Sequence, residues 1–198
     1  MRTYCFDLHR RFFRADTFDL VIGAAIVHHL LDPRRALANV AESLKPGGRM
    51  IFVEPLEAGS LILATIYARA LEELERLGEG DGTLAQLMRA FRDDIRCRLG
   101  PPAVRPQTAL LDDKWVFDVP YLIDLARGLG LAKVDIHPAQ TDPAHIFEAA
   151  FRGTLADSGN ASLPIPAPVI DAVREFDRAI DPELKCRLCP TAIVVMTK

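Results

Sequence analysis

The sequence predicts an α/β fold, a Rossmann-like and mostly parallel sheet with helices on both faces. Three observations predict it. Residues 18–55 read as strand, helix, strand in under forty residues, the length of one right-handed crossover unit. Residues 118–137 repeat the helix-then-strand order, and residues 190–197 (PTAIVVMT) form a β-branched run that closes the chain. Strands that alternate with helical patterns in this way belong to a layered α/β sheet.

The first five residues after Arg2 (TYCFD) read as a short strand ending at Asp7. Phe18 to Gly23 is a short apolar run of the kind found in a strand buried on both faces. Asp32 can cap the following helix, Pro33 fits its first position, and Ala36, Leu37, Val40, Ala41 and Leu44 recur at helical spacing. Lys45 suits the negative end of that helix, and Pro46-Gly47-Gly48 stops it. Arg49 to Val53 is the next strand, and Glu54-Pro55 ends it.

Residues 57–114 form a helical insertion. Leu63, Ile66, Tyr67, Ala70, Leu74 and Leu77 mark one amphipathic helix, with Glu72 and Arg76 placed for an exposed pair. Gly78 to Gly82 breaks it. Leu84, Leu87, Met88, Phe91 and Ile95 mark a second helix, ending near Gly100-Pro101-Pro102. Asp118 can cap the next helix, and Leu131 to His137 reads as a strand. Asp142-Pro143 opens another helix, residues 157–168 are a loop rich in Gly, Ser and Pro, and Val169 to Ile180 gives a further amphipathic helix.

A chain of 198 residues suits one domain with an insertion, and 49% hydrophobic against 26% charged residues is a globular composition. The net charge of −3 and the lack of a basic stripe argue against a nucleic-acid partner. No apolar run is long enough to span a bilayer, which argues against a membrane. With no leader-like pattern at Met1, the four cysteines are expected to be reduced thiols in the cytoplasm. Cys186 and Cys189 form a CxxC without the second pair that a structural zinc site needs, so no metal is expected there.

One resemblance organises the site. The pattern FDLV, VHHL, DP and LKPGG, then an apolar strand and EP, resembles the middle of class I S-adenosylmethionine-dependent methyltransferases, above all their small-molecule, type 11 branch. The resemblance implies S-adenosylmethionine as cofactor and a small molecule as methyl acceptor. It implies a strand order in which the last strand runs antiparallel and inserts beside the outermost one. It also implies a first strand and a glycine-rich loop upstream of residue 3, which this chain does not contain. The expectation is therefore an N-terminally truncated domain, whose exposed sheet edge invites a homodimer or an upstream partner chain.

Asp7 stands eleven residues before Phe18. Read alone, it is a turn residue after a strand. The resemblance makes it the acceptor for the adenine amine, with Leu8 packed beside the base, and makes Gly23 and Ala24 the small residues that let the cofactor approach the backbone. Such a site would lie beyond the carboxyl ends of the strands.

His28 and His29 can take a proton from an acceptor group near neutral pH. They can equally serve passively, one packed on the helix that starts at Pro33 and the other lining the pocket. As metal ligands they are not expected, because adjacent histidines point apart and no third ligand is spaced to join them. Glu54 either binds a polar group of the substrate or caps the next helix. In the resembled family, insertions like residues 57–114 cover the site. Two functions follow: methyl transfer to a small molecule, or a non-catalytic module of the same fold that works through protein contacts.

Overall fold

The structure is a computed structural model, and it describes residues 3–99, 110–140 and 142–198. Its sheet has four strands: β1 (Phe18–Ala24), β2 (Leu44–Pro55), β3 (Lys133–Pro138) and β4 (Thr191–Thr197), in the order β1-β2-β4-β3. β1 and β2 are parallel, with Leu20 opposite Arg49 and Ala24 opposite Val53. β4 runs antiparallel to both of its neighbours, from Pro55↔Thr191 to Arg49↔Thr197 on one side and from Pro138↔Ala192 to Lys133↔Thr197 on the other. Three strands thus point one way, and the fourth is wedged between two of them.

Seven helices surround the sheet among the described residues: α1 (Pro33–Ser43), α2 (Glu57–Arg76), α3 (Thr83–Arg98), α4 (Val119–Gly128), α5 (Ile146–Asp157), α6 (Ala167–Ala179) and α7 (Pro182–Arg187). α1 begins as its sequence dictates. The Asp32 carboxylate accepts from Arg35 N at 3.0 Å, and Pro33 opens the first turn. In β2 and β4 alternate residues face the core: Met50, Phe52 and Glu54 on one, Ala192, Val194 and Met196 on the other. The core continues through α2, whose Leu63, Ile66, Tyr67, Ala70 and Leu74 are buried.

Several local expectations are corrected. Residues 3–7 form no strand. They do not pair with edge strand β1; instead Phe6, Phe12, Phe13 and Phe18 pack into an aromatic cluster with ring centroids 4.5–5.1 Å apart. β1 itself is not buried on both faces, since Leu20 and Ile22 are exposed on it. Pro46, Gly47 and Gly48 lie within β2 and do not merely stop a helix: α1 ends at Ser43, Gly47 takes φ 76°, and Gly47 and Gly48 exchange backbone hydrogen bonds with Lys198. Lys45 does not cap a helix end but pairs with Asp19 at 2.8 Å.

On α2, Glu72 pairs with Arg69 and Arg76 with Glu73, a spacing of three in each case, in place of the expected Glu72–Arg76 pair. Asp118 stands at the start of α4 without a capping bond from its side chain. The expected helix end at Gly100-Pro101-Pro102 lies outside the described residues.

Candidate functional site

A cavity of about 700 Å³ opens beyond the carboxyl ends of β1 and β2. Ala25 follows β1 on its rim, Val53 and Pro55 come from the end of β2, and Thr191 from the start of β4. The far wall is helical: Tyr67 of α2, and Phe91, Asp94 and Arg98 of α3. This is where an open α/β sheet holds a ligand. Ala25 takes φ 51°, a left-handed conformation uncommon for a residue with a side chain, and its N–H donates to Val53 O.

The polar centre of the site is Glu54. It is buried, and it does not cap the helix that follows. One carboxylate oxygen accepts from Val27 N at 2.8 Å; the other accepts from His28 N at 3.1 Å and lies 2.6 Å from His28 Nδ1. Glu54 therefore anchors the short 3-10 turn Val27–His29 that carries both histidines. A buried carboxylate needs such partners, because unpaired it would be costly.

His28 is buried too. Its other ring nitrogen, Nε2, lies 3.3 Å from Asp113 Oδ1, and His29 Nδ1 lies 3.3 Å from that same oxygen. The two imidazole centroids are only 4.2 Å apart, so the adjacent histidines converge, against the expectation that they point apart. Asp113 is the third group of this constellation, and sequence reasoning misses it. It lies far downstream in an acidic pair, Asp112-Asp113, and only the folding of residues 110–118 back onto the turn brings it near. Lys114 N donates to His28 O, and Trp115 Nε1 donates to Leu30 O at 2.7 Å. Trp115 is thus partly buried and stacked with Phe117 and Tyr121.

Charge follows from these contacts. Burial lowers the His28 pKa, but hydrogen bonds to Asp113 and Glu54 outweigh it and raise the value to about 9. His28 is then an imidazolium at neutral pH, a donor to two carboxylates and not a ready proton acceptor. The hydrogen bond from His28 holds Asp113 below the usual carboxyl range. Asp94 is pushed up by burial, although Arg98 bonds to it. Burial raises Tyr67 to about 12; its hydroxyl donates to Thr154 at 2.9 Å.

The residues expected around a cofactor are not brought to this cavity together. Leu8 lines a second, apolar cavity of about 240 Å³ walled by Phe6, Phe12, Phe13, Phe18 and Val21, and the two cavities share no lining residue. The Asp7 carboxylate accepts from His9 N and lies 2.9 Å from His9 Nδ1, contacts that hold it below the usual range. Gly23 is small for a packing reason: a side chain there would meet Ile26 and Phe52 at 2.9 Å. Ala24 is exposed at the end of β1. Within the CxxC, burial pushes the Cys189 thiol up to about 11, away from the range of a reactive thiolate.

Residues 1–52 match a family model described as a methyltransferase domain. Over that stretch the chain is similar to methyltransferase domains. The matched stretch carries Asp7, the Val27–His29 turn and most of β2, and among the residues that line the large cavity it contributes Ala25 and His28. No curated protein matches the chain.

Among solved structures, a possible histamine N-methyltransferase of Thermotoga maritima is 12% identical, with a TM-score of 0.45 over 96% of this chain and 61% of its own. Phosphoethanolamine N-methyltransferase 2 of Haemonchus contortus, solved with S-adenosylhomocysteine, is 11% identical with a TM-score of 0.42 over 96% of this chain and 35% of its own. The [4+2]-cyclase SpnF is 14% identical with a TM-score of 0.42 over 98% and 54%. This chain therefore spans between about a third and three fifths of the length of these three proteins.

Proposed function

We propose that this chain forms the acceptor side of an S-adenosylmethionine-dependent methyltransferase that acts on a small molecule. The observation that carries the reading is the cavity beyond β1 and β2, to whose rim the stretch that matches the methyltransferase family brings Ala25 and His28. Its volume of about 700 Å³ and its mixed walls suit a small acceptor with both apolar and polar parts.

The fit of S-adenosylmethionine is best on the adenine side. The apolar, ring-walled cavity at Leu8 suits a flat base, and Asp7 stands beside it with one oxygen directed at Arg10, 3.6 Å away, and not at His9. Asp7 and Leu8 would hold the base, with Gly23 and Ala24 nearer the reacting end. The cofactor supplies a methyl group on a sulfonium centre. The chain's own part is to hold the acceptor in line and keep water out; α2 and α3 act as the cover.

Within that scheme His28 and Glu54 position and do not abstract. Glu54 fixes the turn, and His28 presents a held positive charge at the cavity wall. His29, half-exposed, is the more accessible of the two imidazoles. The unlinked cysteines, Cys5, Cys97, Cys186 and Cys189, support a cytoplasmic setting. A second reading has its own observation. Leu20 and Ile22 are exposed on edge strand β1, which favours a module that pairs with an upstream chain or a second copy.

Calorimetric titration with S-adenosylmethionine and S-adenosylhomocysteine tests the first reading. Binding weakened at least tenfold by Asp7→Ala supports it. No binding of either compound, together with a dimer or a captured upstream chain by light scattering, selects the second.

A further inference from the structure

We propose that His28, His29 and Asp113 form a binding site for a divalent transition-metal ion of the zinc class. One ligand atom from each residue lies within 4.8 Å of the others. Both histidine contacts converge on a single oxygen: His28 Nε2 and His29 Nδ1 are each 3.3 Å from Asp113 Oδ1. Tetrahedral zinc with ligands at about 2.0–2.1 Å separates neighbouring ligand atoms by about 3.3–3.4 Å. The two contacts already have that spacing, and the third separation, between the two ring nitrogens, lies within 4.8 Å.

The surroundings are those of a metal-ligating histidine. Such an imidazole gives its other N–H to a carboxylate, which fixes the tautomer and aims the free nitrogen. Glu54, buried and tied to Val27 N and His28 N, stands 2.6 Å from His28 Nδ1, so that Nε2 is the nitrogen that ligates once the incoming ion displaces the proton it shares with Asp113. Asp113 is held from its other oxygen, with Arg98 Nη1 3.4 Å from Oδ2. His29 Nδ1 donates to the carbonyl oxygen of Asp112 at 3.0 Å, a bond that gives way when an ion takes that nitrogen. Two imidazoles and a carboxylate suit zinc and its neighbours in the first transition row. His28 and Asp113 both line the large cavity, so the open positions of the ion face a ligand there. The inference rests on these side chains and not on methyl transfer.

The test uses the full chain, stripped with a chelator and titrated with Co²⁺ as a spectroscopic probe, with Zn²⁺ as competitor. One Co²⁺ per chain is expected, with visible d–d bands that Zn²⁺ abolishes. Asp113→Asn and His29→Asn are each expected to weaken binding at least tenfold while circular dichroism stays unchanged, and Cys186→Ser/Cys189→Ser to leave it intact. Glu54→Gln is expected to weaken it by about 10–100-fold; because Glu54 is buried and its loss could disturb the turn, the two half-exposed positions decide the outcome. Absence of a 1:1 complex, binding that survives both Asp113→Asn and His29→Asn, or binding lost only with the cysteines overturns the proposal. Cofactor binding without Co²⁺ binding sinks the metal site alone, and the reverse result sinks the methyltransferase reading alone.

Discussion

At position 59 a single methyl group decides whether α2 can sit where it does. A side chain there would come within 2.2–2.3 Å of the backbone of Cys189 and Pro190, just before β4. A flexible side chain could swing aside, but main chain cannot, so helix and strand would have to part. Gly59→Ala is expected to cost about 2–3 kcal/mol, as overpacking does in a tight core. Urea unfolding measures it, and an unchanged midpoint would show that the contact gives way freely. Nothing in the sequence signals this contact, because it depends on where the approach to β4 crosses α2. Glu54 is legible as a polar residue at the end of a strand. Its partners are not, because a carboxylate that binds a turn by two backbone N–H groups has no sequence pattern. Asp113 is hidden for a related reason: its role depends on where residues 110–118 return to the sheet, and local spacing does not record that.

Among the elements, the joint between α5 and α6 shows both what periodicity tells and what it omits. The buried faces of these helices, with Phe147 and Phe151 on one and Val169, Ile170 and Val173 on the other, follow from helical spacing. How α5 begins does not follow from it. His145 makes no capping bond, and Asp177 of α6 accepts from Phe147 N and Glu148 N across 29–30 residues. Buried Lys185 of α7 then donates to Asp177 O and Ala144 O and ties the three helices together.

Glu148 adds a charged clasp over the same joint. The hydrogen bond from Arg174 at 2.7 Å is the largest influence on its carboxyl; burial opposes it, Arg152 assists, and the net pKa is lowered. A carboxyl lowered by folding adds stability above its ordinary value of 4.5 and loses it as pH falls through the folded value. The wild-type urea midpoint should therefore fall more steeply than that of Glu148→Gln between about pH 5 and pH 3. Parallel curves for the two proteins would assign the clasp no part in stability.

For the molecule as a whole, the α/β class, the crossover of β1, α1 and β2, and the antiparallel wedging of β4 are all legible without coordinates. The first two come from hydrophobic period, and the third from the resemblance to a known family. The failures cluster at the β1 edge, where a strand at TYCFD and burial of Phe18–Gly23 on both faces rest on local pattern alone. A strand needs a neighbour as much as a pattern, and here residues 3–7 turn to an aromatic cluster instead. Removing Thr191–Lys198 should abolish cooperative unfolding, since β4 supplies every hydrogen-bonded link between β2 and β3. A thermal melt followed by circular dichroism reads this; a retained sharp transition would mean that β1, β2 and their helices stand alone. The same wedge sets the timetable of biosynthesis. A nascent chain leaving the ribosome carries β2 and β3 as strands without their shared partner until residues 191–197 emerge, so closure of the sheet waits for that segment, and any chaperone that guards this protein has to hold it until then.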